Sequence, residues 1–378
     1  MKSPHRRMLS LVARSALALL AIGCGADSTA PSLPGAGTLL VLNTYGETGV
    51  TVVSDTGFEY RTRFIPFGAA FDGSTFTVRG DTAISASSRF GGDLLSIADV
   101  EQRTVLTVQL PAASNPAGAI FLDAGLRGAG QARFAVALRD SNAVALVTLT
   151  PSGPLVQLAR NAGQCPYDVA IAAGSLWSID ANEDCRGSYA SLGPVRAIRL
   201  PLDGAARDTV ALGNSVRGAA RVFVLGDRML ILASGDYADT PGSVTGVDAR
   251  TRTVVGTRML PAGIYGTTMQ LGADGNLYVT ASGFDPEYSP RVYSIDPQTL
   301  EFRGDRAAGK SYLDLRSALG AEDRCDAATA DADGVLFCVT NASVTSSLIV
   351  FPRPGPTIAG PPIRAAATGS IASDIVLR

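Results

Sequence analysis

Apolar residues in this chain come in short runs, not in long helical stripes. GTLLVL (37–42), AVALVTL (143–149), MLILAS (229–234), NLYVTAS (276–282) and VLFCVT (335–340) are bounded by Gly, Asp, Asn or Pro. Runs of that length with such punctuation predict buried strands. The stretch CPYDVAIAAGSLWSID (165–180) reads as a complete hairpin, with an apolar strand from Tyr167 to Ala172, a small turn at Ala173, Gly174 and Ser175, and a second apolar strand from Leu176 to Asp180. Its first half returns as PFGAAFDGS, PAGAIFLDAG, VRGAARVFVLGD, IYGTTMQLGADG, RCDAATADADG and ASDIVLR. Aligned on Gly or Asp, the copies fall at Gly68, Gly118, Asp168, Gly218, Gly266, Asp326 and Asp374, at intervals of 50, 50, 50, 48, 60 and 48 residues. A period near 50 with several short strands per repeat is the pattern of a β-propeller blade. The expected fold is therefore all-β, a propeller of seven blades over residues 37–378.

No inner-strand copy precedes the first two strands, GTLLVL and VTVVSDT. The last residues, IASDIVLR, supply the missing one, so the two ends of the domain should share a blade and leave no open sheet edge.

Residues 1–23 do not share this pattern. Lys2, Arg6, Arg7 and Arg14 make a positive n-region, and SALALLAIG is an apolar segment too short to span a bilayer, as in a signal peptide. Leu20, Ala21, Ile22 and Gly23 followed by Cys24 resemble the lipobox of bacterial lipoproteins, which implies a lipidated Cys24; a plain secretory signal cut nearby is the other reading. Residues 24–36 are small, polar and rich in Pro and Gly, a flexible tether. This places the domain outside the cytoplasm, in a bacterial cell envelope, periplasmic or at the cell surface, with the membrane reached through the lipid anchor.

Without the leader the chain carries 28 basic and 34 acidic residues, a net charge of −6, and Lys310 is its only lysine. That balance argues against a nucleic-acid partner. The only histidine is His5, inside the leader, so Ser-His-Asp and Cys-His catalysis and imidazole-based metal sites are excluded. Four cysteines remain beyond Cys24. Folding the 165–185 segment about Gly174 brings Cys165 to Cys185, and the turn at Asp333 and Gly334 brings Cys325 to Cys338; both pairs are expected as disulfides in an oxidising compartment.

DGNLYVTAS followed by RVYSIDPQTLEF, together with GTLLVLNTYGETGVTVV, resembles the repeats of YncE-like (YVTN-type) seven-bladed propellers. These motifs are turns and strand cores, so the resemblance implies a fold and no active-site residue. Some propellers of similar build are lactone hydrolases with a carboxylate-bound divalent metal. Asp168, Asp326 and Asp374 are the acidic residues such a reading would use, although one Asp per blade also fits a structural role.

Function is expected on the upper face, where the loops leading into the inner strands meet those joining second strands to third. The first set brings Phe67, Ala117, Tyr167, Arg217, Tyr265, Cys325 and Ser373 to the channel mouth, with aromatic packing between blades as the alternative. The second set, the longest loops, carries Arg89, Phe90, Arg186, Tyr189, Tyr237 and Tyr288. Ligand binding is assigned to Phe67, Arg89, Tyr167, Arg217, Tyr237 and Tyr265, since exposed Tyr and Arg favour interfaces. Asp180, Asn182 and Asp184 have the spacing of a calcium loop, but its sixth position is Cys185 and its twelfth Ser191. Trp177 reads as blade core. The leading expectation is a monomer that binds a partner protein or small ligand and needs no cofactor, metal or catalytic residue; the alternative is the lactonase-like hydrolase.

Overall fold

An apolar run becomes a strand buried on both faces only if something packs against each face, and the second strand of each repeat shows how that is met. In Thr38–Asn43 every residue is buried. Leu39 and Val41 face one hydrophobic cluster while Leu40 and Leu42 face another. The computed structural model describes residues 37–44, 49–54, 60–67, 75–87, 93–123, 131–201, 207–218, 220–283, 291–304, 311–315, 325–342, 345–351, 363–369 and 372–378. All belong to one compact unit, Gly35–Arg378. The leader, the tether and Cys24 lie outside the described residues, as do Arg89, Phe90 and Tyr288.

Seven antiparallel sheets of four strands each make up these residues. Blade one holds β1 (Thr38–Asn43), β2 (Gly49–Ser54) and β3 (Tyr60–Pro66). Blade two holds β4 (Thr77–Arg79), β5 (Thr82–Ser87), β6 (Leu94–Asp99) and β7 (Thr104–Gln109), and blade three β8 (Pro116–Phe121), β9 (Arg133–Leu138), β10 (Ala143–Thr150) and β11 (Gly153–Arg160). Blade four comprises β12 (Pro166–Ala172), β13 (Ser175–Asp180), β14 (Arg196–Leu200) and β15 (Asp208–Ala211). Blade five comprises β16 (Ala220–Leu225), β17 (Arg228–Ala233), β18 (Ser243–Asp248) and β19 (Thr253–Met259). Blade six has β20 (Ile264–Leu271), β21 (Leu277–Gly283), β22 (Arg291–Ile295) and β23 (Leu313–Asp314). Blade seven has β24 (Cys325–Ala330), β25 (Leu336–Ala342), β26 (Thr345–Phe351) and β27 (Ile363–Gly369), and the last strand, β28 (Ala372–Leu377), pairs with β1 as the inner strand of blade one.

The ring is closed by packing as well as pairing. Each of the seven blade-to-blade contacts buries its own apolar cluster. Trp177, fully buried, sits between blades four and five, and its indole N–H donates to the Ala172 carbonyl at 3.2 Å. The Ala173-Gly174 turn has φ of 48° and 68°, the doubly positive pair a tight hairpin demands.

At their upper ends most inner strands carry a bulge. Tyr167 in β12, Asp326 in β24 and Ser373 in β28 are each skipped by the pairing register. Asp168 and Asp374 therefore occupy equivalent positions, one residue past the bulge, and Asp326 does not. Asp326 thus departs from the linear alignment of the three aspartates, because the inserted residue shifts the side chain it carries.

Candidate functional site

Two polar groupings stand out. The deeper one is in the central cavity, about 410 Å³ and lined by residues of all seven inner strands or their approaches. Asp374, fully buried, accepts from the backbone N–H groups of Ile375 at 3.0 Å and Phe76 at 3.1 Å, from Arg221 Nη1 at 2.9 Å and from Gln270 Nε2 at 2.9 Å. One carboxylate thus ties blades one, two, five and six together across the axis. Asp168 repeats half of this, accepting from Val169 N at 2.8 Å and Val222 N at 2.9 Å. Burial pushes the Asp168 carboxyl up to about 6, helped by the nearby Asp374 charge and opposed by those two N–H groups and by Arg221. A Cβ on Gly118 would stand 1.9 Å from Asp168 Oδ1, so glycine there makes room for the Asp168 side chain.

This arrangement does not fit the carboxylate-held metal of the lactonase-like alternative. Both oxygens of Asp168 and of Asp374 already face N–H donors, and Asp326 is a bulge residue. A metal ligand needs lone pairs free and converging.

The second grouping is on the upper face of blades three to five. The loop after β13 folds back on itself through Asp184 N–H to the Ala190 carbonyl at 3.0 Å and Leu192 N–H to the Asn182 carbonyl at 2.8 Å. It is stapled to the start of β12 by the Cys165–Cys185 disulfide, with Cα atoms 5.7 Å apart. The second disulfide, Cys325–Cys338, spans 5.6 Å between Cα atoms. Both pairings follow the hairpin register expected from the sequence. The loop after β17 is held by Asp236, whose Oδ1 accepts from Ala238 N and Thr240 N at 3.1 and 2.8 Å.

That turn places Tyr237 in the left-handed region, φ 57°, with 53% of the residue exposed. Its ring stacks on buried Tyr265 at 5.0 Å and 28°, and the Tyr265 hydroxyl donates to the Ala238 carbonyl at 3.0 Å. Burial raises the Tyr237 phenol above its ordinary value, a Ser234 hydrogen bond opposes, and Tyr167 and Glu183 add to the rise. Tyr167 is half-buried against the disulfide and lies under the Arg139 guanidinium, 4.9 Å from its ring centre, with Arg139 Nη1 donating to its hydroxyl at 3.0 Å. Glu183, half-buried, is pushed up to about 7, first by burial and then by Asp180, against the pull of Arg139. Tyr189 is a second exposed ring in left-handed backbone, φ 55°.

The structure brings Tyr167, Tyr237 and Tyr265 to one region. Arg217 is near it but engaged, donating to Ser191 Oγ at 2.8 Å and the Asn214 carbonyl at 3.1 Å. Phe67 packs with the blade one–two cluster and Ala117 is buried. Arg186 donates to the Asp140 carbonyl. The calcium-like triad is turned to protein partners: Asp180 accepts from Cys165 N, Asn182 N and Arg196, Asn182 Nδ2 donates to Pro194 O, and Asp184 accepts from Ser188. Sequence reasoning passed over Glu183, Arg139, Arg221 and Gln270. The first sits inside the calcium-like stretch, where spacing drew attention to its neighbours.

Fold and site together define a seven-bladed β-propeller with a rigid, disulfide-stapled upper face. The fold is shared by a protein from Lactobacillus plantarum (TM-score 0.60, 11% identity, covering 90% of this chain and 99% of that one). It is shared also by a candidate 6-phosphogluconolactonase from Bacteroides fragilis (TM-score 0.58, 11% identity, 90% and 97%) and by the dihydro-heme d1 dehydrogenase NirN (TM-score 0.53, 16% identity, 93% and 78%). No protein-family model matches the sequence, and no curated protein matches it.

Proposed function

We propose that this protein is a YncE-like propeller of a bacterial cell envelope, exported by residues 1–23 and anchored through lipidated Cys24. In this reading it binds a partner protein or small ligand through its upper face and catalyses no reaction. The observation that carries the reading is Tyr237, an exposed aromatic ring that stacks on Tyr265 while its backbone takes up a left-handed conformation. A non-glycine residue in that conformation costs about 1–3 kcal/mol, and about half of Tyr237 remains exposed. Such strain is characteristic of sites that present a side chain. Two disulfides fit an oxidising compartment, and among the described residues no helix is long and apolar enough to cross a membrane. The lactonase-like reading has less support, because the channel aspartates hold the ring together.

In-cell cross-linking of the exported protein tests the binding face. Adducts should be lost in Tyr237→Ala and kept in Arg250→Ala, a control on the opposite face. The reverse pattern overturns the reading. Metabolic labelling with a palmitate analogue should mark the wild type and not Cys24→Ala.

A further inference from the structure

A cleft of about 370 Å³ lies between blades four and five, at the strand ends opposite the upper-face loops. Its volume is in the range of small-molecule sites. Blade four supplies the β12–β13 turn, with Ser175, and Arg199 of β14; blade five supplies Asp227 and the turn after β18. The guanidiniums of Arg199, Arg250 and Arg252 line it against one carboxylate, Asp227. Arg250 gives both Nε and Nη2 to Asp227 and closes one ion pair. Arg199 Nη1 and Arg252 Nη1 instead converge on a single oxygen, Asp208 Oδ2, at 3.1 and 3.0 Å. One carboxylate there serves two cations and leaves a positive charge over. Asp248, which ends β18, accepts from Thr251 N within its own turn at 2.7 Å.

The donors point the same way. Ser175 Oγ accepts from Arg199 Nε at 3.0 Å, which leaves its own O–H to donate elsewhere. Among the described residues Arg199 Nη2, Arg250 Nη1, and Arg252 Nε and Nη2 donate to nothing. Arg103 holds the matching place in blade two, since both turns cap an aspartate and put the arginine at positive φ, 58° and 61°. Arg103 lies over the Phe64 ring at 4.4 Å, whereas Arg252 is set beside a second guanidinium. Two guanidiniums side by side favour an anion that both can reach, and their planar N–H forks suit phosphate oxygens.

We infer that this cleft binds a phosphate group, held between Arg199 of blade four and Arg250 and Arg252 of blade five. The site is separate from the upper face and goes beyond the role proposed for it. A soluble phosphate ester and a lipid headgroup share this chemistry.

Phosphorus NMR titration at fixed ionic strength tests it with phenyl phosphate and inorganic phosphate, on the full-length Cys24→Ala protein so that no anchor adds membrane affinity. Both probes should bind saturably. Arg199→Gln, Arg252→Gln and Arg250→Ala should each weaken them about tenfold. Arg133→Gln removes a comparable exposed ion pair, with Asp123 on blade three, and should leave binding unchanged. The Arg252 side chain is 48% exposed, so Arg252→Gln decides the matter if Arg199→Gln fails to fold. Flotation with phosphatidic acid vesicles, competed by phenyl phosphate and absent with pure phosphatidylcholine, identifies a headgroup as the source; phenyl phosphate binding without flotation identifies a soluble ester. Absence of saturable binding in the parent protein, full binding by Arg252→Gln, or an equal loss in Arg133→Gln each overturns the inference. Arg250→Ala also separates the two faces, because it should lose phosphate and keep the upper-face adducts.

Discussion

Replacing Asp374 by alanine should destabilise the ring more than any other single change in the channel. The carboxylate is fully buried, accepts four hydrogen bonds, and is the ion-pair partner of Arg221, whose side chain is only 16% exposed. Its loss leaves a buried guanidinium with less compensation and frees N–H groups of two blades. Breaking one partner out of a buried pair costs about 3–5 kcal/mol. With an unfolding entropy of roughly 2.1 cal/mol/K per residue over roughly 340 residues, a 4 kcal/mol loss lowers Tm by ~6 °C. Calorimetry would measure it, with urea unfolding followed by Trp177, the chain's single tryptophan, as a second probe. Arg221→Met supplies the other arm of a double-mutant cycle, and the double variant should lose less than the sum of the singles. A loss below ~1 kcal/mol for Asp374→Ala, set against the 3–5 kcal/mol for a broken buried pair, would refute the view that this carboxylate fastens the ring.

Three other outcomes are expected. Asp168 is raised in the folded state from 3.8 to about 6, so the folded protein holds a proton that the unfolded chain releases. Its contribution, at most ~3 kcal/mol, is complete below the unfolded value and lost as pH rises through about 6; Asp168→Asn should flatten the wild type's decline in stability between pH 4 and 7 in urea titrations. Replacing Cys165 and Cys185 together by alanine opens a loop with a sequence separation of 20 residues, which should cost ~3 kcal/mol and make thermal stability insensitive to reductant at that site. Deleting 372–378 removes β28 and exposes the edge of β1; the product should aggregate or lose its cooperative transition, and unchanged melting would contradict the closed ring.

Much of the architecture was legible because it depends on local chemistry repeated at a fixed period. Gly174 marks a hairpin by itself, and the apolar run of β1 announces burial on both faces. The cysteine pairings followed from the same register. The channel was not legible, because its bonds join residues far apart in sequence, Asp374 to Arg221 across 153 positions and to Phe76 across 298. No periodicity encodes such contacts. The bulges misled for a related reason: Asp326 matches Asp168 in a linear alignment, but one skipped residue in the pairing changes where it lies. Tyr167, Tyr237 and Tyr265 were chosen by residue type, whereas the stacking of Tyr237 on Tyr265 is visible only in the fold.

The pairing of β28 with β1 also sets an order of events during folding. The inner strand of blade one is supplied from the far end of the domain, after the other six blades. Until it arrives, β1 carries an unpaired edge and the apolar cluster between blades one and seven lacks Ile375, so the ring cannot lock while the chain is still emerging. A product truncated before β28 is therefore left with an unpaired β1 edge that can pair with another chain.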